Sequence, residues 1–250
     1  MYNSMMQRKI HLTAKDLLAS LQFKKGDFGK IAIVSGQPHR AKIILENLEK
    51  PVKNFTFLGY TFWTGVYKGK KITVGNGGFY APDSAFITEM LCEGGVEILI
   101  RIGSCGALRE EIEIGDFIVA DKVLRGDGVT RYYVEDDFSP ILDRDLIGKL
   151  IETFTPIGKV YQGGVWTTDA LFRETKEIVN SYIEKGAIAV DMISSPFATI
   201  SNIYKKKVGI ILVVSDNLIT GELGFTDIRF FDAEKKMING VLKLLEKIKD

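Results

Sequence analysis

A chain of 250 residues with 33 basic and 32 acidic side chains carries a formal net charge of +1. Its global electrostatics therefore favour neither nucleic acid nor an anionic membrane surface as partner. With 46% hydrophobic and 26% charged residues it has the balance of a soluble globular protein, long enough for one large α/β domain.

Two cysteines, Cys92 and Cys105, and two histidines, His11 and His39, offer no metal-ligand spacing. Unpaired thiols and an N-terminus without an apolar run lead to the expectation of a reducing, cytoplasmic setting. No run approaches membrane-spanning length.

In chain order, β-branched apolar runs predict strands over residues 30–35, 56–63, 71–76, 96–103, 116–123, 160–165, 187–191 and 208–215. Helical periodicity falls between them, over 13–21, 39–48, 82–93, 143–154, 172–185, 194–206 and 230–248. That alternation predicts a single α/β domain over 1–250, with helices flanking a mixed, largely parallel central sheet. Tyr67-Lys68-Gly69-Lys70 reads as a turn between two strands, so part of the sheet is antiparallel. The last helix carries Met237, Ile238, Val241, Leu242 and Leu245 on one side. Lys205-Lys206-Lys207 reads as a solvated helix end.

Ligands of open α/β sheets sit beyond the carboxyl ends of strands, and four such ends carry chemistry. The most informative is Arg101-Ile102-Gly103-Ser104-Cys105-Gly106. An arginine within an apolar strand requires a partner, either a neighbouring carboxylate or an anionic ligand. The glycines and hydroxyl that follow suit a bound oxyanion. Ser35-Gly36-Gln37-Pro38-His39-Arg40 puts a second arginine in the first turn of a helix, where the dipole favours an anion. Asn76-Gly77-Gly78-Phe79-Tyr80-Ala81-Pro82 is a pocket wall or a plain loop. Val213-Val214-Ser215-Asp216-Asn217 offers either a helix cap or a general acid of raised pKa. A dinucleotide fingerprint and a nucleophile elbow both fail on these residues, since Gly36 stands alone and Ile102 replaces the first glycine of G-x-S-x-G.

Together these residues resemble the nucleoside phosphorylase family of bacterial-type purine nucleoside phosphorylase and uridine phosphorylase, over roughly residues 8–248. Gly36-Gln37-Pro38-His39-Arg40 stands for the family's G-D-P-x-R, and Arg101–Gly106 for R-[IV]-G-[ST]-[CT]-G. Ile114-Gly115-Asp116, Val190-Asp191-Met192 and Val214-Ser215-Asp216 follow in the family's order. The resemblance implies phosphate attack on C1′ of a nucleoside, with phosphate as co-substrate and neither cofactor nor metal. It assigns Gly36, Arg40, Arg101 and Ser104 to phosphate. Met192, Asp191, Ser215, Cys105, Gly106, Trp166 and Phe172 go to the nucleoside, with Leu171 a further candidate for the apolar wall. Asp216 becomes the acid at purine N7, assisted by Arg229 about thirteen residues on. His11 is implied to reach a neighbouring subunit's site, in a dimer-based homo-oligomer with a hexamer favoured.

Three departures weigh on the activity. Ile193 stands where the family's second ribose-gripping glutamate falls, Leu58 where an arginine is lent by the adjacent subunit, and Gln37 where G-D-P has aspartate. Each lost charge-assisted hydrogen bond costs on the order of 1.5–3 kcal/mol. The expected activity is purine nucleoside phosphorolysis, as in purine salvage. Uridine phosphorylase, a nucleosidase and a non-catalytic nucleoside-binding homologue stay open.

Overall fold

Parallel strands covered on both faces need uninterrupted apolar runs, and three strands of this chain have them. The computed structural model describes residues 11–248. Helix α1 (Ala14–Ser20) is followed by β1 (Ile31–Ser35), α2 (Pro38–Leu45), β2 (Glu49–Phe57), β3 (Tyr60–Tyr67), β4 (Lys70–Asn76) and α3 (Ala81–Glu93). Then come β5 (Ile98–Ala107), β6 (Phe117–Gly126), α4 (Arg144–Phe154), β7 (Val160–Thr168), α5 (Lys176–Glu184) and β8 (Ala187–Asp191). The chain continues with α6 (Ser194–Ile203), β9 (Lys207–Asn217), β10 (Glu222–Leu223) and α7 (Ile228–Lys247). Every residue of β1 and β8 is buried, as is β9 from Val208 to Ser215. The predicted α/β class, with helices flanking a mixed sheet, is the one observed.

All ten strands form one sheet, in the order β10-β9-β6-β7-β8-β5-β1-β4-β3-β2. Parallel pairings run through β4–β1–β5–β9 and β6–β7–β8. Antiparallel ones make up β2–β3–β4, β9–β10, β6–β9 and β5–β8. Because β5 pairs with both β8 and β9, the strands β5, β8, β7, β6 and β9 close into a ring. Helix α7 lays its apolar face, including Met237, Val241 and Leu245, into the core, as its periodicity predicts.

The predicted strand over 56–63 is instead a hairpin. Leu58 and Gly59 turn the chain between β2 and β3 with φ of +50° and +84°. Such a turn favours Asn-Gly or Asp-Gly, so a leucine at its first position reads as strand. The turn at Lys68-Gly69 joins β3 and β4 antiparallel, as predicted.

Strand β5 positions the site. One edge pairs with β9 throughout. The other pairs with β1 only as far as Ile102, opposite Ser35. It then takes up β8 at Gly106, opposite Val190. Between Ile102 and Gly106 the sheet forks.

Candidate active site

The fork opens a cleft of about 240 Å³ at the carboxyl ends of β1, β8 and β9, where open α/β sheets hold ligands. One end of it is cationic. Arg101, 3% exposed, has Nη2 at 2.8 Å from Asp191 Oδ2. Its Nε and Nη1 are buried with no hydrogen-bond partner among the described residues. Gly103 makes room for this guanidinium, since a Cβ there would run into Nη1. Arg40, in the first turn of α2, is 2% exposed and donates from Nε to Glu234 Oε1 at 2.7 Å, with Nη2 on the same oxygen.

Burial pushes both guanidinium pKa values down against the pull of their carboxylate partners, and Arg40 adds to the shift at Arg101. Neither group loses its charge at neutral pH. Gly36 and Ser104 line the same end, and Gln37 makes no side-chain cap over the first N–H groups of α2. Two buried cations, a hydroxyl and a helix N-terminus converge there, and buried donors without partners are what an oxyanion satisfies.

The other end is acidic. Cys105 lies opposite Val214 and Gly106 opposite Asp216, so Ser215 is an extra residue. The bulge redirects the Asp216 side chain. Ser215 Oγ lies 2.7 Å from Asp216 Oδ1 and 3.1 Å from Cys105 O. Gly106 admits the carboxyl, because a Cβ there would stand 2.9 Å from Asp216 Oδ2 and clash with Leu218. Burial raises the Asp216 pKa, opposed by the Ser215 hydrogen bond. Asp216 lies inside β9 and caps no helix. Of its two sequence readings, an acid of raised pKa is the one this geometry supports.

Met192, Ile193, Cys105, Gly106 and Ser215 also line the cleft, with Leu171, Phe79 and Phe225 at its apolar wall. Four of the expected site residues are placed otherwise than the resemblance implies. Asp191 lines the cleft but is engaged by its own fold: besides Arg101 it accepts from Thr167 Oγ1 at 2.8 Å, Ser194 Oγ at 2.6 Å and Ser194 N at 3.1 Å. Trp166 is 2% exposed and stacked on Tyr182 at 4.2 Å between centroids, outside the cleft. Phe172 is 96% exposed and lines an outer cavity, leaving Leu171 as the wall. Arg229 is exposed, bound to Asp227 and Glu222 at 2.6 and 2.5 Å, and does not line the cleft. His11 is exposed and Leu58 is 72% exposed on its hairpin; neither lines the cleft.

Two residues escaped sequence reasoning. Glu234 sits on the buried face of α7, three and four positions before Met237 and Ile238, and a carboxylate on an apolar stripe was the signal for it. Glu174 lines the cleft near Asp216; its local sequence, Leu171-Phe172-Arg173-Glu174, gives no pattern. No group of His, Cys, Asp or Glu able to hold a metal occurs among the described residues. No helix among them is long and apolar enough to cross a membrane.

Residues 30–245 match the family described as the Phosphorylase superfamily. The chain belongs to that family. A DeoD-type purine nucleoside phosphorylase of Colwellia psychrerythraea is 33% identical over 209 residues, covering 81% of this chain and 88% of the relative. One from Bacillus cereus is 32% identical over 206 residues, with the same coverage. The fold is similar to that of a purine nucleoside phosphorylase from Toxoplasma gondii solved with immucillin-H, at a TM-score of 0.81 and 20% identity, covering 90% of this chain and 93% of that one. A uridine phosphorylase from Vibrio fischeri reaches the same TM-score at 24% identity, covering 91% and 96%.

Proposed function

We propose that this nucleoside phosphorylase cleaves purine nucleosides, with inorganic phosphate as co-substrate. The observation that carries the reading is one cleft with two buried arginines at one end and an acid of raised pKa at the other. Phosphate at Arg40, Arg101, Ser104 and the start of α2 attacks C1′, forming the C1′–O bond. The C1′–N9 bonding pair passes into the purine, and Asp216 delivers its proton to N7. The transition state resembles an oxocarbenium ion, so a dianion on one face and a protonated leaving base on the other both lower its energy. Base and ribose 1-phosphate leave. Purine is favoured over pyrimidine because Asp216 addresses an N7 that uracil lacks.

Inosine or adenosine incubated with protein and millimolar phosphate should release free base only when phosphate is present. Free ribose formed without phosphate would assign a nucleosidase instead. A second reading, nucleoside binding without turnover, draws on Ile193 and the fully occupied Asp191, which leave the sugar no acidic acceptor from that segment. Calorimetric binding with no product over hours would select it. We further place the protein in purine salvage in the cytoplasm, as a dimer-based homo-oligomer in which His11 serves a neighbouring subunit's site.

A further inference from the structure

We infer that Ile193 makes this a site for 2′-deoxyribonucleosides, preferred over ribonucleosides because an apolar side chain stands where the 2′-hydroxyl arrives. The inference rests on the phosphorolysis reading above, and it names the sugar class that reading takes.

Ile193 is held by its main chain, just before α6. Its N–H donates to Asp191 Oδ1 at 3.3 Å, and its carbonyl accepts from Ser84 Oγ of α3 at 3.4 Å. The side chain is buried and lines the cleft. Ile193 Cδ1 stands 3.5 Å, and Phe79 Cδ1 4.0 Å, from the point a Cβ on Gly36 would occupy. Gly36 lies at the cationic end of the cleft with Arg40, Arg101 and Ser104. Two apolar carbons therefore flank the place given to phosphate.

The stereochemistry of the reaction brings a hydroxyl to that place. In a β-ribonucleoside the base stands on one face of the sugar and the 2′- and 3′-hydroxyls on the other. Phosphate attacks C1′ opposite the departing base, hence on the hydroxyl face. The 2′-hydroxyl, one carbon from the reacting centre, then lies beside the phosphate, against Ile193 and Phe79. A 2′-deoxyribonucleoside brings only hydrogen there. The 3′-hydroxyl is common to both sugars and drops out of the comparison.

The polar groups at this end are committed elsewhere. Arg40 and Arg101 only donate, and Ser104 faces the phosphate. Gln37 is exposed, and Gly78 O packs on Gly36 without lining the cleft. Asp191 Oδ1 accepts from Thr167 Oγ1 at 2.8 Å, Ser194 N at 3.2 Å and Ile193 N. Its Oδ2 takes Arg101 Nη2 at 2.8 Å and Ser194 Oγ at 2.6 Å. A carboxylate offers about four lone-pair sites, and these donors fill them. A ribonucleoside thus exchanges water at its 2′-hydroxyl for an apolar wall, a loss that deoxyribose does not incur.

The test compares 2′-deoxyinosine with inosine, for the full chain and for Ile193→Gln and Ile193→Met, by phosphorolysis and by calorimetry without phosphate. Wild type should prefer the deoxynucleoside by about 10- to 100-fold in kcat/KM, the scale on which an apolar pocket rejects an added hydroxyl. The preference should recur in Kd, where no bond breaks and the greater lability of a deoxyriboside plays no part. Ile193→Gln, whose amide oxygen accepts, should bring both ratios to within about threefold, mainly by a gain with inosine. Ile193→Met, apolar and of similar volume, should keep them. A wild-type Kd ratio near one, or a preference that folded Ile193→Gln retains, overturns the proposal while leaving phosphorolysis intact. If Ile193→Gln does not fold, the Kd ratios of wild type and Ile193→Met decide alone. If neither nucleoside is cleaved, phosphorolysis fails, and calorimetry decides the sugar contact. Tighter 2′-deoxyinosine supports it; equal binding, or none, refutes it.

Discussion

Removing Glu234 should make the fold depend on phosphate. Its carboxylate is 5% exposed and takes two N–H groups of the equally buried Arg40, with His39 Nε2 a further 3.4 Å from Oε2. Glu234→Ala strands a buried guanidinium, which costs about 3–5 kcal/mol. Glu234→Gln keeps one acceptor oxygen and loses only the charge, for about 1.5–3 kcal/mol. If Arg40 faces phosphate, the dianion replaces the missing charge. A ligand at one hundred times its Kd returns about 2.7 kcal/mol to any form that binds it. The substitution leaves Arg40 without competition for phosphate, so phosphate should raise the stability of Glu234→Gln more than that of wild type. Urea denaturation with and without phosphate, read by fluorescence, measures both. An equal phosphate increment in variant and wild type, with the full loss of stability retained, would falsify the placement of Arg40 at the anion.

Other outcomes follow from the same geometry. Asp216→Asn should lower single-turnover base release by about 10²–10⁴-fold, the usual contribution of a positioned acid, without lowering the melting temperature, since ionising a buried carboxyl of raised pKa opposes folding; undiminished release removes Asp216 from the chemistry. Gly106→Ala should cost about 1–3 kcal/mol by overpacking against Leu218 and the Asp216 carboxyl, and its kcat should fall more than its KM rises; a wild-type kcat would show that Gly106 does not seat the acid. Phe172→Ala should leave kcat and KM within about twofold, because a fully solvated side chain supplies no wall; a large effect would restore it to the site. The Glu174 pKa lies above its unfolded value, so ionising it opposes folding, and wild type loses stability as pH rises through about 7. Glu174→Gln should therefore gain stability over wild type between pH 5 and 8 in paired melts, and parallel curves would refute the shift.

Much of this was readable from residues alone, for a physical reason. Arg101 stood in an apolar strand before two glycines, and a buried charge demands a partner wherever the strand lies in the fold. The burial of β1 and β9, and the apolar side of α7, followed from runs and periodicity. What escaped depended on three-dimensional company. Trp166 was an attractive wall for a base until the fold stacked it on Tyr182. Arg229 had the right spacing from Asp216, yet it spends its charge on Asp227 and Glu222 at the start of its own helix. Asp191 is assigned to the nucleoside by the resemblance, and in the fold it is also the joint between Arg101, Thr167 and the first turn of α6. Glu174 became visible only when a turn from one segment met the end of β9.

The fork in β5 has a further consequence. Along one edge, between Ser35 of β1 and Val190 of β8, the strand runs past Gly103, Ser104 and Cys105 with no neighbouring strand. Under the proposed reading, a phosphate held at this end of the cleft would lie where the absent strand would otherwise run.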